Sequence, residues 1–169
     1  GIDNAAGKQK IVVELYDKFF RNAFPKMTER LGIVYTPVEV VDFIIHSVND
    51  VLNTEFGQTL GSEDVHIIDP FTGTGTFITR LLQSGLMTSE QLKSKYKNQI
   101  HANELVLLAY YIAAINIEAV YHDLVGGEYV PFEGICLTDT FEMYEKDDLV
   151  SGLLEDNSER RKRQKKLDI

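Results

Sequence analysis

Asp69-Pro70-Phe71-Thr72-Gly73-Thr74-Gly75-Thr76-Phe77 follows directly on the apolar run Val65-His66-Ile67-Ile68, and reading these residues together decides the fold. A short β-branched run, a turn with two glycines one residue apart, and then Phe77, Ile78, Leu81 and Leu82 at helical spacing predict a strand, a tight loop and a helix start. That is the first half of a nucleotide-type βα unit. Glycines suit such a turn because the backbone can approach a ligand with no Cβ in the way, while the helix N-terminus behind it offers free N–H groups.

Three ligand classes could use this loop. A P-loop needs Lys and then Ser or Thr after its last glycine, but Gly75 is followed by Thr76, Phe77 and Ile78, which argues against a triphosphate. A dinucleotide fingerprint needs a third glycine where this chain has Ile78, so that reading is weakened and stays open. The third class carries no phosphate. Asp69 at the strand end would repel pyrophosphate and attract a cation, and the sulfonium and ammonium groups of S-adenosylmethionine (SAM) fit that description. Asp-Pro-Phe-x-Gly-x-Gly-x-Phe resembles motif I of the DNA amino-methyltransferases, in the form typical of adenine methylation within restriction-modification enzymes.

The 169 residues are 44% hydrophobic and 25% charged with only four prolines, which predicts one ordinary globular domain with a real core. No run approaches a membrane span, and Gly1 to Lys10 lacks the apolar centre of a signal peptide. The single Cys136 lies in an apolar context and reads as a small core residue suited to a reducing cytoplasm. A cytoplasmic location with no membrane partner is therefore expected. The formal net charge of −9 argues against a generic nucleic-acid-coating protein. It leaves room for a catalytic module whose DNA contacts are made by other parts of a larger polypeptide.

Upstream of the glycine loop, Val12, Leu15, Tyr16, Phe19, Phe20 and Phe24 recur at helical spacing until Pro25, so residues 1–31 read as an N-terminal helical segment whose aromatic stripe packs on the domain. Tyr35-Thr36-Pro37 then precedes Val38, Val41, Ile44, Ile45, Val48 and Leu52, with Thr36 as N-cap and Pro37 at the first helical position. Tyr-Thr-Pro at this place resembles motif X of the same family, whose loop covers the methionine end of SAM.

Downstream, strands are expected at Val65 to Ile68, Ile100 to Glu104 and Phe132 to Leu137. Helices are expected from the glycine loop to about Gln83, from Thr88 or Ser89 through Lys97, and from Leu105 to His122. In the last of these, Ala109, Ala113, Ala114 and Ala119 allow close approach to the sheet, and Asn116 reads as a local packing or hydrogen-bonding residue. Glu159 to Lys166 holds six basic residues in eight, a solvated helix face or a DNA-backbone contact. Leu167-Asp168-Ile169 looks like the start of a fourth strand.

The expected strands end in or near acids that share one cleft when the strands run parallel. A carboxylate at the second strand tip can accept both ribose hydroxyls, and Glu104 stands there, its longer spacing from Asp69 explained by the extra helix between them. The resemblance implies the remaining roles. Tyr35, Thr36 and Pro37, with Asp69, Pro70, Phe71, Thr72, Gly73, Thr74, Gly75 and Phe77, hold the methionine end; Glu104 is the motif II acid; Asp139 is the motif III acid at the adenine amine, beside Thr140 and Phe141. No metal is expected, because His46, His66, His101 and His122 lack ligand spacing with acids or Cys136.

The resembled enzymes also carry Asn- or Asp-Pro-Pro-Tyr at the fourth strand tip, where it holds a flipped-out adenine. That tetrapeptide is absent here, so no catalytic residue is assigned and this stretch alone is expected to be inactive. The implied fold is α/β: a Rossmann-like SAM-dependent methyltransferase fold, its parallel sheet covered by helices on both faces, preceded by N-terminal helices and truncated at the C-terminal side. Residues 32–169 would be a partial SAM-binding domain of a DNA adenine methyltransferase in a larger, Type I-like single-chain restriction-modification protein. Its partners would be double-stranded DNA, reached through the full-length protein, and nuclease, helicase and target-recognition parts. A truncated sheet exposes an edge, so self-association is expected. Two other readings stay open: a SAM enzyme acting on RNA, protein or a small molecule, and a non-catalytic binding scaffold.

Overall fold

The computed structural model describes Ile11, Glu14, Leu15, Lys18, Asn22 and residues 36–141 and 155–167. The five isolated N-terminal positions are helical. The rest of the expected 1–31 segment, Tyr35, and Asp168 and Ile169 of the expected fourth strand lie outside the described residues, while Leu167 is in a turn closed by its N–H to the Gln164 carbonyl.

Three parallel strands, β1 (Ile67–Asp69), β2 (Ile100–Glu104) and β3 (Ile135–Leu137), form a sheet in the order β1-β2-β3. The register sets Ile67 opposite Ile100, and Ala102 opposite Ile135. Alternation then sends Ile67, Ile100, Ala102 and Ile135 to one face and His101, Asn103 and Cys136 to the other. The first set shares a single core with α1 (Val38–Phe56), α2 (Thr76–Gln83) and α4 (Leu107–Val125) through Val41, Ile45, Ile78, Leu81, Ala113 and Ile117. A short helix α3 (Ser89–Ser94) and a π turn at Lys95–Gln99 lead into β2, and α5 (Glu155–Lys165) lies against β3.

Several boundaries differ from the sequence reading for tertiary reasons. β1 starts at Ile67, because the Val65 N–H turns back to Ser62 and the carbonyls of Ser62 and Val65 both accept from Lys95 Nζ, a lysine only 1% exposed. β3 starts at Ile135, because Phe132 packs on the ring of Tyr96 and Gly134 passes so close to β2 that a Cβ would stand 2.2 Å from the Ile100 carbonyl oxygen. The cap of α1 is Pro37, with no side-chain hydrogen bond, so Thr36 is not the N-cap. Thr88 does cap α3, and its reciprocal bonds with Gln91 make a full capping box.

Two side-chain contacts fix the frame. The Arg80 guanidinium of α2 grips Asp42 of α1 with Nε and Nη2 at 2.8 and 2.7 Å, and its hydrogen bonds hold the Asp42 carboxyl below the usual range. This joins the helix after Tyr-Thr-Pro to the helix after the glycine loop. On the far side, Asn157 of α5 treats the outer edge of β3 as a strand would. Its Oδ1 accepts from the Leu137 N–H at 2.7 Å and its Nδ2 donates to the Leu137 carbonyl at 3.0 Å. Arg160 donates to the Tyr110 hydroxyl and Arg163 pairs with Glu133, so part of the basic run faces protein rather than solvent.

Removing the Asn157 amide leaves the Leu137 peptide groups unpaired, so Asn157→Ala is expected to lower stability by about 1–2 kcal/mol in denaturant unfolding. An unchanged midpoint with an unchanged slope would show that the edge is held by other contacts.

Candidate cofactor site

Each strand leads to an acid that accepts the N–H two residues further on. Asp69 Oδ1 accepts from Phe71 at 3.1 Å, Glu104 Oε1 from Val106 at 2.8 Å, and Asp139 Oδ1 from Phe141 at 2.9 Å. These are local turns of the kind short acidic side chains favour, here repeated at one end of a parallel sheet. The sheet register brings the three turns together at its C-terminal end, where ligands of such sheets bind.

The glycine loop is fastened to this end. The Thr72 N–H donates to the Asn103 carbonyl at 2.9 Å, and the Gly73 N–H donates to Glu104 Oε2 at 2.6 Å. Both glycines adopt left-handed backbone, φ +57° at Gly73 and +85° at Gly75, as α2 begins. Their surroundings differ. A Cβ on Gly73 would meet nothing within 4 Å, which leaves open space over the loop, whereas one on Gly75 would press on Ile117 and Ala113 of α4. Pro70 accepts from the Thr140 hydroxyl at 2.6 Å, tying the β1 and β3 loops. Above that tie the rings of Phe71 and Phe141 meet at 5.5 Å, 64% and 83% exposed, so Phe141 is a rim residue and not part of the core.

Burial pushes the Asp69 carboxyl above its ordinary range against the Phe71 N–H, which lowers it, and the Glu104 charge adds to the rise. Asp69 Oδ2 is buried with no hydrogen-bond partner among the described residues. Burial likewise raises Glu104, opposed by the N–H groups of Val106, Gly73 and Leu105. Two carboxylates with raised pKa values beside a glycine loop form a site suited to a cationic ligand with hydroxyls. Glu104 Oε2 accepts from Gly73 and Oε1 from Val106, and with four lone pairs the carboxylate keeps acceptor capacity for a ribose hydroxyl.

The structure thus brings Asp69, Pro70, Phe71, Thr72, Gly73, Thr74, Gly75, Glu104, Asp139, Thr140 and Phe141 to one end of the sheet. Phe77, at the start of α2, lines together with Asp69, Pro70, Ile44 and Ile67 an apolar groove of about 330 Å³ beside β1. Thr36 and Pro37 stand at the head of α1, with no described bond from their side chains to the glycine loop. Two contacts escaped the sequence reading. Asn116, read as a local residue, donates from α4 to the Thr74 carbonyl at 3.0 Å; its signal was helical spacing from Ala109 and Ala113. His66 and His101 stack with Nδ1 and Nε2 3.0 Å apart, and burial lowers His101 to about 4. Neither histidine had a sequence signal.

Residues 7–151 match the family model described as N-6 DNA Methylase. Among solved structures, the whole chain is 56% identical, with a TM-score of 0.84, to 12% of a chain described as the ATP-dependent Type ISP restriction-modification enzyme LlaBIII bound to DNA. A nuclease-deletion mutant of the Type ISP enzyme LlaGI, in complex with a DNA substrate mimic, is 52% identical over 98% of this chain and 14% of its own, with a TM-score of 0.82. A DrdV–DNA complex is 42% identical over 95% of this chain and 16% of its own, with a TM-score of 0.87. This chain therefore spans 12–16% of the length of those proteins. No curated protein matches it.

The unpartnered Asp69 Oδ2 beside Glu104 is a strained charge, which Asp69→Asn removes while keeping the acceptor for Phe71. Both carboxyls have folded pKa values above their unfolded ones. Their contribution to stability is thus fully present below the unfolded pKa and is lost as pH rises through the folded pKa. Asp69→Asn is expected to be about 1 kcal/mol more stable than the parent at neutral pH, with the gap closing in acid. Thermal unfolding across that pH range checks it, and a variant less stable at neutral pH would contradict it.

Proposed function

The chain belongs to the N-6 DNA methylase family, and from that premise we propose that it is the SAM-binding part of a DNA adenine methyltransferase in a restriction-modification protein. The observation that carries the reading is the convergence of the glycine loop, Glu104 and Asp139 at the ends of three parallel strands. The site residues fit the cofactor on their own chemistry: a buried carboxylate oxygen without a partner at Asp69, a carboxylate with spare lone pairs at Glu104, and open space over Gly73. SAM supplies a methyl group activated by a sulfonium.

Each residue then has a physical task. Asp69 offers negative charge to the cationic end, where desolvation strengthens the attraction. Glu104 orients the ribose through its remaining lone pairs while holding the loop by Gly73. Asp139 uses Oδ1 for the Phe141 N–H and keeps Oδ2 to accept from the adenine amine. Phe71 and Phe141 present flat apolar surface at the rim against that ring. Thr36 and Pro37 lie at the head of a helix that Asp42 and Arg80 lock to α2.

The full-length protein would transfer methyl to the adenine amino group by in-line displacement, through positioning and electrostatics. These 169 residues contain no Asn- or Asp-Pro-Pro-Tyr, so the reading assigns them cofactor binding and no methyl transfer of their own. Double-stranded DNA, nuclease, helicase and target-recognition partners follow from the same reading, supported by the DNA-bound relatives.

Calorimetric titration of the chain with SAM, and in parallel with NAD, tests this. SAM is expected to bind and NAD to stay silent, with Glu104→Ala weakening SAM by roughly 10-fold or more, as loss of a charged acceptor for hydroxyls does. Binding of NAD alone would replace the methyltransferase reading with the dinucleotide one.

A further inference from the structure

Helix α4 covers the sheet with small and apolar residues, yet Asn116 stands within its buried surface at 3% exposed. Asparagine is a poor helix former, and a buried amide is costly unless it is hydrogen-bonded. Its described partner is remote: Nδ2 donates to the carbonyl of Thr74, 42 residues earlier and between the two loop glycines. The N–H of the same peptide unit, that of Gly75, donates to the Thr72 carbonyl at 2.9 Å. The Thr74–Gly75 peptide plane is therefore pinned at both ends. Such pinning matters at this place, since a glycine with φ +85° resists reorientation of its neighbouring peptide less than any other residue.

We propose that Asn116 is a positioning residue for the cofactor: its amide locks the Thr74–Gly75 peptide and so keeps the loop in its receptive shape before the ligand arrives. The inference rests on the SAM reading of the site. The close fit of Gly75 against Ala113 and Ile117 sets the distance between loop and helix, and Asn116 sets the peptide's orientation. A loop flanked by two glycines would otherwise sample several peptide orientations, and ordering it would weaken binding.

The test compares N116L, which keeps the shape and removes the donor, and N116D, which turns an acceptor toward the Thr74 carbonyl, with V120A. Val120 is buried one turn further along the same helix and controls for general loosening. Two quantities are read at a temperature where all variants are folded: exchange of the Gly75 amide by NMR without ligand, and SAM affinity by calorimetry. N116L and N116D are expected to speed Gly75 exchange and to weaken SAM, each by about 10-fold, with V120A changing neither to that degree. SAM binding by N116L as tight as the parent's, or equal losses in V120A, would overturn the proposal. If the parent itself does not bind SAM, the cofactor reading falls, and Gly75 exchange alone decides whether Asn116 locks the loop; an unchanged rate in N116L then refutes it.

Discussion

A carboxylate at the tip of β2 holds this architecture together. Glu104 accepts one N–H from the glycine loop and one from the head of α4, while its own carbonyl accepts from Thr138 beyond β3. One residue thus ties the β1 loop, the next helix and the β3 exit into a single surface. The geometry of the cleft is for that reason inseparable from the geometry of the fold. Its electrostatic consequence is equally direct: a carboxylate that gathers the glycine loop and the head of α4 is buried between them, and burial raises its pKa and that of Asp69 beside it.

The features that could be read from the residues are those written in local patterns. The βα unit at Val65 to Gln83 follows from a β-branched run, two glycines and helical spacing. The acids stand where strand patterns end, and the Thr88 cap is a four-residue signature. Each needs only neighbours in sequence to form.

What escaped the sequence depends on residues far apart in the chain. Lys95 sits in a stretch that reads as a polar surface helix, yet it is buried on two loop carbonyls and moves the start of β1. Gly134 needs its missing side chain only because the Ile100 carbonyl passes beside it. Arg160 and Arg163, in a run that suggests solvent or a phosphate backbone, point partly at Tyr110 and Glu133. In the candidate site the acids were legible, whereas periodicity gave Phe77 an apolar helix face without saying that this face meets a groove shared with Asp69 and Pro70.

The Asn157 amide on β3 has a bearing on assembly. With the outward peptide groups of Leu137 occupied, the described sheet has one edge able to recruit a strand, that of β1 beside its apolar groove. A sheet open at both sides has a valence of two and can propagate into a ribbon without end. A sheet open at one side has a valence of one, so edge-to-edge growth stops after a single addition. Whatever strand β1 accepts, the side chain of one asparagine keeps the outward peptide groups of Leu137 from accepting a second.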